Sequence, residues 1–212
     1  MRLTDRDQEI LSSLCTKVRL FTAQQIADCW WRDASTSLAT ARQRMGKLVA
    51  SEFVAQLRVL AAPLPLLHSP VIAWAPGDEA PDYGAAAWQL QSRWKEPVEL
   101  TRVYLATNKA CRLFGGKRQG SLKAEYQATH DLGVSQMYIQ RRIKSEQAIA
   151  NWIGEDVLAH YRKGQKLPDA VLAPAPGENP SLVLEFGGAY DKRRVEAFHK
   201  DCAKRELAYE VW

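Results

Sequence analysis

The most informative segment in the first half of the chain is Ser35-Thr-Ser-Leu-Ala-Thr-Ala-Arg-Gln-Arg-Met-Gly-Lys-Leu-Val-Ala-Ser51. Its apolar residues recur at helical spacing and predict a buried stripe made of Leu38, Ala41, Met45, Leu48 and Val49. The opposite side is basic and hydroxylic, and the stretch contains no acidic residue. The pattern therefore predicts a helix that packs through one face and leaves a positively charged face toward solvent.

Two shorter helices are predicted before this stretch. Thr4 precedes an acidic first turn, which suits an N-cap and predicts a helix over 5–15. Thr22 and Gln25 have the spacing of a capping box, in which each side chain bonds the other residue's backbone N–H, and they predict a second helix over 23–30. Three helices in this order are typical of a helix-turn-helix.

The residues that follow predict a wing. Positions 53–59 alternate as a strand, and a proline-rich segment over 61–81 contains Val71-Ile-Ala-Trp74 as a candidate second wing strand. Farther on we expect a helix over 82–94, a strand over 101–106, and a short helix capped by Asn108 that ends at Gly115-Gly116. Together these elements predict a winged helix with an elaborated wing over 1–116.

A helix with these properties fits the major groove of a DNA duplex, because small hydroxyl residues near its start allow close approach and Arg or Lys farther along reaches phosphates or base edges. The predicted DNA-binding residues are Ser35, Thr36, Ser37, Thr40, Arg42, Gln43, Arg44 and Lys47, with Arg58 on the strand. A helix with a merely solvated charged face is the alternative interpretation. The helical order around the stretch favours the DNA-binding interpretation.

Composition narrows the class of protein. The formal net charge of +5 and the pI near 9.0 favour a polyanionic partner. The four cysteines form no Cys-x-x-Cys pair, no stretch of about 18 apolar residues occurs, and the N-terminus lacks a signal-peptide pattern, so we expect a cytoplasmic protein without membrane attachment. Phosphate-loop, dinucleotide-binding and serine-hydrolase motifs are absent.

The second half predicts a small α/β domain over 121–212, joined by a linker at Gly116-Lys-Arg-Gln-Gly120. Its expected order is a helix over 130–145, strands over 148–153, 167–173 and 181–186, a helix over 191–205, and a strand over 208–212. The predicted fold class is therefore α+β, with a winged helix-turn-helix followed by this second domain.

That order resembles the core of the PD-(D/E)xK restriction-endonuclease-like fold, with Asp169 opening one strand and Glu185 near the end of the next. The resemblance implies two carboxylates that hold Mg²⁺ and a lysine two positions after the glutamate. Here Phe186 and Gly187 follow Glu185, so the lysine is missing and activity is expected to be degenerate unless Lys192, Arg193 or Lys200 replaces it. The alternative is structural: one of the two carboxylates caps a turn, and the other pairs with Arg193 or Arg194.

The whole chain resembles the replication-relaxation family of bacterial plasmid and mobile-element proteins, which joins a winged helix to an endonuclease-like domain. The matching segments are Leu3-Thr-Asp-Arg-Asp7 with Ile10-Leu11, Phe21-Thr-Ala-Gln-Gln-Ile26, His130-Asp-Leu-Gly-Val-Ser135, Pro168-Asp-Ala-Val-Leu172 and Leu184-Glu-Phe-Gly-Gly188. The resemblance implies DNA binding in plasmid or mobile-element maintenance, transfer or gene control. The proline-rich wing segment departs from the pattern.

Three functional hypotheses follow. The first is a non-catalytic binder of double-stranded DNA, a homodimeric regulator or accessory factor that needs no cofactor. The second is a nuclease that uses Mg²⁺ at Asp169 and Glu185. The third is an adaptor that docks a replication or transfer protein through Leu60 to Trp74. No structural metal site is expected, since His199 and Cys202 are the only ligand-like pair, and His130-Asp131 fits either a polarised imidazole or a helix cap.

Overall fold

The computed structural model describes residues 1–32, 35–116, 125–162 and 166–212. The helices are α1 (Asp5–Thr16), α2 (Ala23–Trp30), α3 (Ser37–Ala50), α4 (Tyr83–Ser92), α5 (Asn108–Phe114), α6 (Glu125–Lys144), α7 (Glu155–Leu158) and α8 (Lys192–Lys204), with a 3-10 helix at Glu146–Ile149. The strands are β1 (Phe21–Thr22), β2 (Val54–Ala61), β3 (Ile72–Trp74), β4 (Glu99–Ala106), β5 (Trp152–Gly154), β6 (Ala170–Leu172), β7 (Leu182–Glu185) and β8 (Tyr209–Val211). The α+β class predicted from the sequence is confirmed.

The helices at the N-terminus begin where their caps predict. Thr4 accepts a hydrogen bond from the Asp7 backbone N–H while the Asp7 carboxylate accepts from the Thr4 backbone, and Thr22 and Gln25 form the same reciprocal pair at α2. Each box satisfies two backbone donors that the first helical turn leaves without partners. The short strand β1 directly precedes α2, so Thr22 both ends the strand and caps the helix.

The first sheet has the antiparallel order β1-β4-β2. β2 and β4 pair along their whole length, from Val54 opposite Ala106 to Ala61 opposite Glu99. Side chains of paired strands alternate between two faces. One face carries Val54 into the core shared with the N-terminal helices, and the other carries Leu57 onto α6. The sheet therefore lies between these helices and α6.

The second sheet has the order β3-β8-β7-β6-β5. β5, β6 and β7 form an antiparallel series, β8 lies parallel to β7, and β3 closes the edge antiparallel to β8. The parallel step from β7 to β8 passes through α8, because parallel neighbours need a crossover connection. Val195 and Phe198 of α8 pack with Val183 and Tyr209 of the sheet, and α4 packs beside α8.

Helix α6 joins the two sheets. Gln25 of α2 donates its side-chain amide to the carbonyl oxygen of Leu132 at 3.0 Å, and the hydroxyls of Ser13 and Tyr138 lie 3.0 Å apart. The Tyr138 ring then meets the Trp152 ring of β5 edge to face, with centroids 5.2 Å apart. One continuous apolar core therefore runs from α2 through α6 to the second sheet.

The division of the chain predicted at 117–120 does not coincide with a division between the sheets. β3 and α4 precede that point in the sequence, yet β3 pairs with β8 and α4 packs on α8. α6 follows that point, yet it covers the first sheet. The predicted linker residues at 117–120 lie outside the described residues.

Three local predictions need correction. The segment with Ile72 and Trp74 is not the second wing strand, since the partner of β2 is β4, and both side chains are buried against β8. The strand expected over 148–153 begins only at Trp152, because Ser145 caps a 3-10 helix before it. Thr107, not Asn108, caps α5 by accepting from the Ala110 N–H.

Candidate functional site

Helix α3 presents one side to the core and one to solvent. Ala41, Met45 and Leu48 are buried against the other N-terminal helices, as the apolar spacing predicts. The predicted DNA-binding residues divide by exposure: Ser35, Thr36, Arg42, Gln43, Lys47 and Arg58 are exposed, whereas Ser37, Thr40 and Arg44 are half-buried. Thr36 occupies the N-cap position of α3 but makes no capping hydrogen bond through its side chain. The exposed side of α3 is therefore the polar one.

Arg44, one of the predicted DNA-binding residues, is paired within the protein. Its Nε donates to Asp7 Oδ1 at 2.7 Å and its Nη2 contacts Asp7 Oδ2, so the guanidinium is held in a bidentate ion pair. The Asp7 carboxylate is 1 % exposed. Burial alone would raise its pKa, but the bonds from Arg44 and Thr4 outweigh burial and leave the pKa lowered. Arg44 thus anchors α3 to α1 and is not a free cation for a phosphate.

The remaining basic residues of the α3 face carry uncompensated charge. Arg42 and Lys47 are both exposed, and neither forms an ion pair with any residue in the described part of the chain. The hydroxyls of Thr36 and Thr40 lie 3.4 Å apart along the same helix. This face combines two available cations with short hydroxyl side chains, which suits contact with a phosphate backbone.

The antiparallel pair of strands β2 and β4 adds a feature that sequence reasoning missed. Arg58 of β2 lies directly opposite Arg102 of β4, and both side chains are exposed. Like charges opposite each other in an antiparallel pair destabilise a sheet, because their Cβ atoms are about 5 Å apart. No described carboxylate forms an ion pair with either arginine. The pairing becomes visible only in the strand register, so no local pattern could have indicated Arg102.

The arginine pair and α3 lie on the same side of the first sheet. Tyr104, two residues along β4 from Arg102, is buried in the core that contains Met45 of α3. Since alternate residues of a strand share a face, Arg102 and its partner Arg58 share the face of Tyr104. The opposite face is covered by α6. The paired arginines therefore lie on the side of the first sheet that packs against α3, away from α6.

A second candidate site lies where β6 and β7 meet. Asp169 immediately precedes β6 and Glu185 is the last residue of β7, so the antiparallel register places them opposite each other. The Asp169 backbone N–H donates to Glu185 Oε2 at 3.4 Å. Both side chains are buried, at 8 % and 5 % exposure. The structure therefore brings together the two carboxylates that the nuclease resemblance selects.

Each carboxylate already has protein partners. The Phe186 backbone N–H donates to Asp169 Oδ2 at 2.7 Å, and His130 Nε2 of α6 lies 3.2 Å from Asp169 Oδ1. The Tyr190 hydroxyl donates to Glu185 Oε1. Among the described residues, neither carboxylate forms the ion pair with Arg193 or Arg194 that the structural alternative expects. The contact between His130 and Asp169 was missed because the two residues are far apart in sequence.

The pKa values of the site reflect its crowding. Burial and, to a smaller extent, the neighbouring Asp169 carboxylate raise the pKa of Glu185 to about 8, while the Tyr190 hydrogen bond opposes the shift. Burial by itself would lower the pKa of His130. The charges and hydrogen bonds of Asp169 and Asp131 outweigh burial and raise the pKa of His130 to about 10. At neutral pH the imidazole of His130 therefore carries a positive charge beside Asp169, while the carboxyl group of Glu185 mainly keeps its proton.

The lysine expected to replace the missing one lies elsewhere. Lys192 is exposed on the first turn of α8, and its electrostatic neighbours are Asp82 and Glu196. Lys200 bonds Glu196 at 2.6 Å. The lysine whose charge reaches Glu185 is Lys166, whose Nζ lies 4.9 Å from the centre of the Phe198 ring. No described lysine forms an ion pair with Asp169 or Glu185.

The residues present do not fit the Mg²⁺ that the nuclease resemblance implies. A magnesium site needs several oxygen ligands turned toward one point. All four oxygens of Asp169 and Glu185 accept or contact protein groups. In the described parts of the chain no three His, Cys, Asp or Glu side chains are arranged to hold a metal ion. His199, the other candidate ligand, bonds the Tyr209 hydroxyl at 2.9 Å.

The segment proposed for an adaptor is largely part of the fold. Leu67, Ile72 and Trp74 are buried, and only Leu66 of its large apolar residues is strongly exposed, at 85 %.

Within the described ranges, no helix has the length and apolar character needed to cross a membrane. Comparison with protein-family models, with curated proteins and with solved structures gives no match for the chain.

Proposed function

We propose that this protein binds double-stranded DNA through α3 and the paired strands β2 and β4. The observation that carries the proposal is the unneutralised arginine pair, Arg58 and Arg102, on the same side of the sheet as the exposed basic face of α3. Two facing like charges destabilise the free protein, and an anionic partner would relieve that repulsion and so gain binding free energy. A polyanion with regularly spaced phosphates fits a basic surface formed by a helix and a pair of strands.

The topology supports a winged helix-turn-helix. The chain runs through α1, β1, α2, α3, β2 and β4, and the sheet order is β1-β4-β2. In this arrangement α3 corresponds to the recognition helix, and the paired strands β2 and β4 correspond to the wing. The polypeptide between the two wing strands includes β3, which pairs in the second sheet, and α4, which packs on α8. The elaborated wing is thus an insertion that ties the DNA-binding unit to the second sheet.

The role we propose is that of a sequence-specific regulator or accessory factor of a plasmid or mobile element, in line with the replication-relaxation resemblance. The series β5-β6-β7-β8 with its α8 crossover supports a restriction-endonuclease-like second unit. The occupied carboxylate oxygens favour a non-cleaving role for that unit. Because the recognition elements occur once per chain, a homodimer on a two-fold symmetric site is the expected binding form.

The deciding experiment measures duplex affinity by fluorescence anisotropy across a range of salt concentrations. Replacing Arg42 and Lys47 together by alanine removes two exposed cations of α3 without touching the Arg44–Asp7 pair. We expect weaker binding and a slope of log affinity against log salt that is smaller by about 0.9 for each phosphate that the variant no longer neutralises. The matched control replaces Lys192 and Lys204 of α8, which carry the same charge elsewhere.

An equal fall in affinity in both double variants would assign the effect to net charge and would remove α3 from the interface. No salt dependence in the wild-type protein would remove DNA as the partner. A plasmid-nicking assay with Mg²⁺ and with Mn²⁺ tests the nuclease alternative separately. Cleavage that disappears in Asp169→Asn would establish that alternative.

A further inference from the structure

Each carboxyl oxygen of the Asp169–Glu185 pair already contacts a protein group. Asp169 Oδ1 faces His130 Nε2 at 3.2 Å, and Asp169 Oδ2 accepts from the Phe186 N–H at 2.7 Å. Glu185 accepts from Tyr190 and from the Asp169 backbone. A divalent ion placed between the carboxylates would compete with the imidazole for the same oxygen. His130 therefore already contacts the Asp169 oxygen that a bridging metal ion would use.

The location of His130 is fixed independently of the carboxylates. Arg19 bonds Asp131, the next residue of α6, at 3.2 Å, and the Ser135 hydroxyl donates to the Leu20 carbonyl oxygen one turn along the helix. The His130 ring also meets the Phe186 ring edge to face, with centroids 5.8 Å apart. Because α6 is held by these contacts, the imidazole is positioned at Asp169 before any ligand arrives.

Packing also closes the position where a nuclease of this kind carries its lysine. That position is Gly187, two residues after Glu185. A Cβ atom added there would lie 2.7 Å from Val211 Cγ1 of β8 and 2.9 Å from Leu90 Cδ2 of α4. Contacts this short force neighbouring atoms to shift, and Leu90 and Val211 are both fully buried. A lysine side chain at 187 would therefore require the buried side chains of Leu90 and Val211 to move.

We infer that the Asp169–Glu185 pair is a metal-independent junction in which His130 takes the place of the divalent cation and fixes α6 to β6 and β7. Two features carry this inference: the imidazole at Asp169, and the sealed position at Gly187. The junction connects the second sheet to α6, the helix that covers the first sheet. His130 is thus a positioning residue that holds the second sheet against α6.

The test compares thermal unfolding and Mn²⁺ binding in the full chain. The wild-type protein should show no Mn²⁺-dependent rise in Tm, and its Mn²⁺ binding, measured by electron paramagnetic resonance, should equal that of Asp169→Asn. His130→Ala should lower Tm. It should also gain Mn²⁺ binding, because the carboxylate oxygen that His130 contacts is released. His130→Gln, which retains a side-chain donor, should lower Tm less than His130→Ala.

Mn²⁺ binding by the wild-type protein that disappears in Asp169→Asn would overturn the inference. So would a His130→Ala variant as stable as the wild type. If His130→Ala does not fold, the comparison of wild type with Asp169→Asn still decides the metal question. Gly187→Lys adds a separate test: we expect a lower Tm and no cleavage, and a stable variant that cuts DNA with Mg²⁺ would show that the site is an intact nuclease lacking only its lysine.

Discussion

Arg44 of α3 donates from Nε to the carboxylate of Asp7 on α1 at 2.7 Å, and the two residues are 37 positions apart in the chain. The contact joins the first and third helices across the N-terminal core. Asp7 also belongs to the capping box of α1. The Asp7 carboxylate therefore both caps α1 and orients α3, the helix proposed to contact DNA. Removing this carboxylate should destabilise the fold, and any change in DNA binding would follow from that.

Arg44→Ala is expected to destabilise the protein by about 1–3 kcal/mol, because it leaves buried Asp7 without its charged partner. Equilibrium urea unfolding measures the change. Arg42→Ala is the matched control, since Arg42 is an exposed arginine of the same helix, and its effect should stay within about 0.5 kcal/mol. Equal stability of the two variants would show that the Arg44–Asp7 pair contributes little.

Arg102→Thr is expected to weaken DNA binding while leaving stability unchanged or raising it by roughly 0.2–1 kcal/mol. The gain arises because threonine suits a strand and the replacement removes a like charge opposite Arg58. Anisotropy measures the affinity and urea unfolding the stability. A fall in both properties would mean that Arg102 is needed for the sheet and not for an anion.

Two glycines should respond in opposite directions to alanine. At Gly133 of α6 the new Cβ would lie 2.2 Å from Phe186 Cε1, so we expect overpacking to cost about 1–3 kcal/mol. At Gly46 of α3 the Cβ meets no atom within 4 Å, so the better helix propensity of alanine should add about 0.5–1 kcal/mol. Urea unfolding of both variants decides. Destabilisation at Gly46 would contradict the open surface of α3.

The stabilisation by His130 should depend on pH. Its pKa is raised to about 10 in the folded protein, from an ordinary 6.5. Protonated His130 therefore stabilises the folded state fully below pH 6.5, and this contribution disappears as the pH rises through 10. The difference in unfolding free energy between wild type and His130→Gln should shrink from about pH 6 to about pH 10. A difference independent of pH would show that His130 acts only as a neutral donor.

The helices and most strands could be predicted because their signals are local. Each capping box joins residues three positions apart, and the apolar stripe of α3 repeats every three or four residues. The wing was assigned incorrectly for a related reason. Both Ile72–Trp74 and Glu99–Ala106 are suitable strand sequences, and local pattern cannot decide which of them pairs with β2.

The candidate sites were predicted in part. The exposed polar face of α3 follows from helical periodicity, and the carboxylates of Asp169 and Glu185 do meet. The role of Arg44, the pairing of Arg58 with Arg102, and the contact of His130 with Asp169 required the tertiary structure. Each depends on two segments distant in sequence, so neither residue alone indicates its partner.

Local sequence predicts where α1 and α2 begin, which helix faces are apolar, and the α+β class, because these properties come from hydrogen bonds and side-chain spacing within one or two turns. The packed fold was needed to show that β3 joins the second sheet, that a side chain at position 187 would meet Leu90 and Val211, and that an imidazole faces Asp169. Those outcomes depend on which surfaces bury each other best when the whole chain packs, and that is a property of all the segments together.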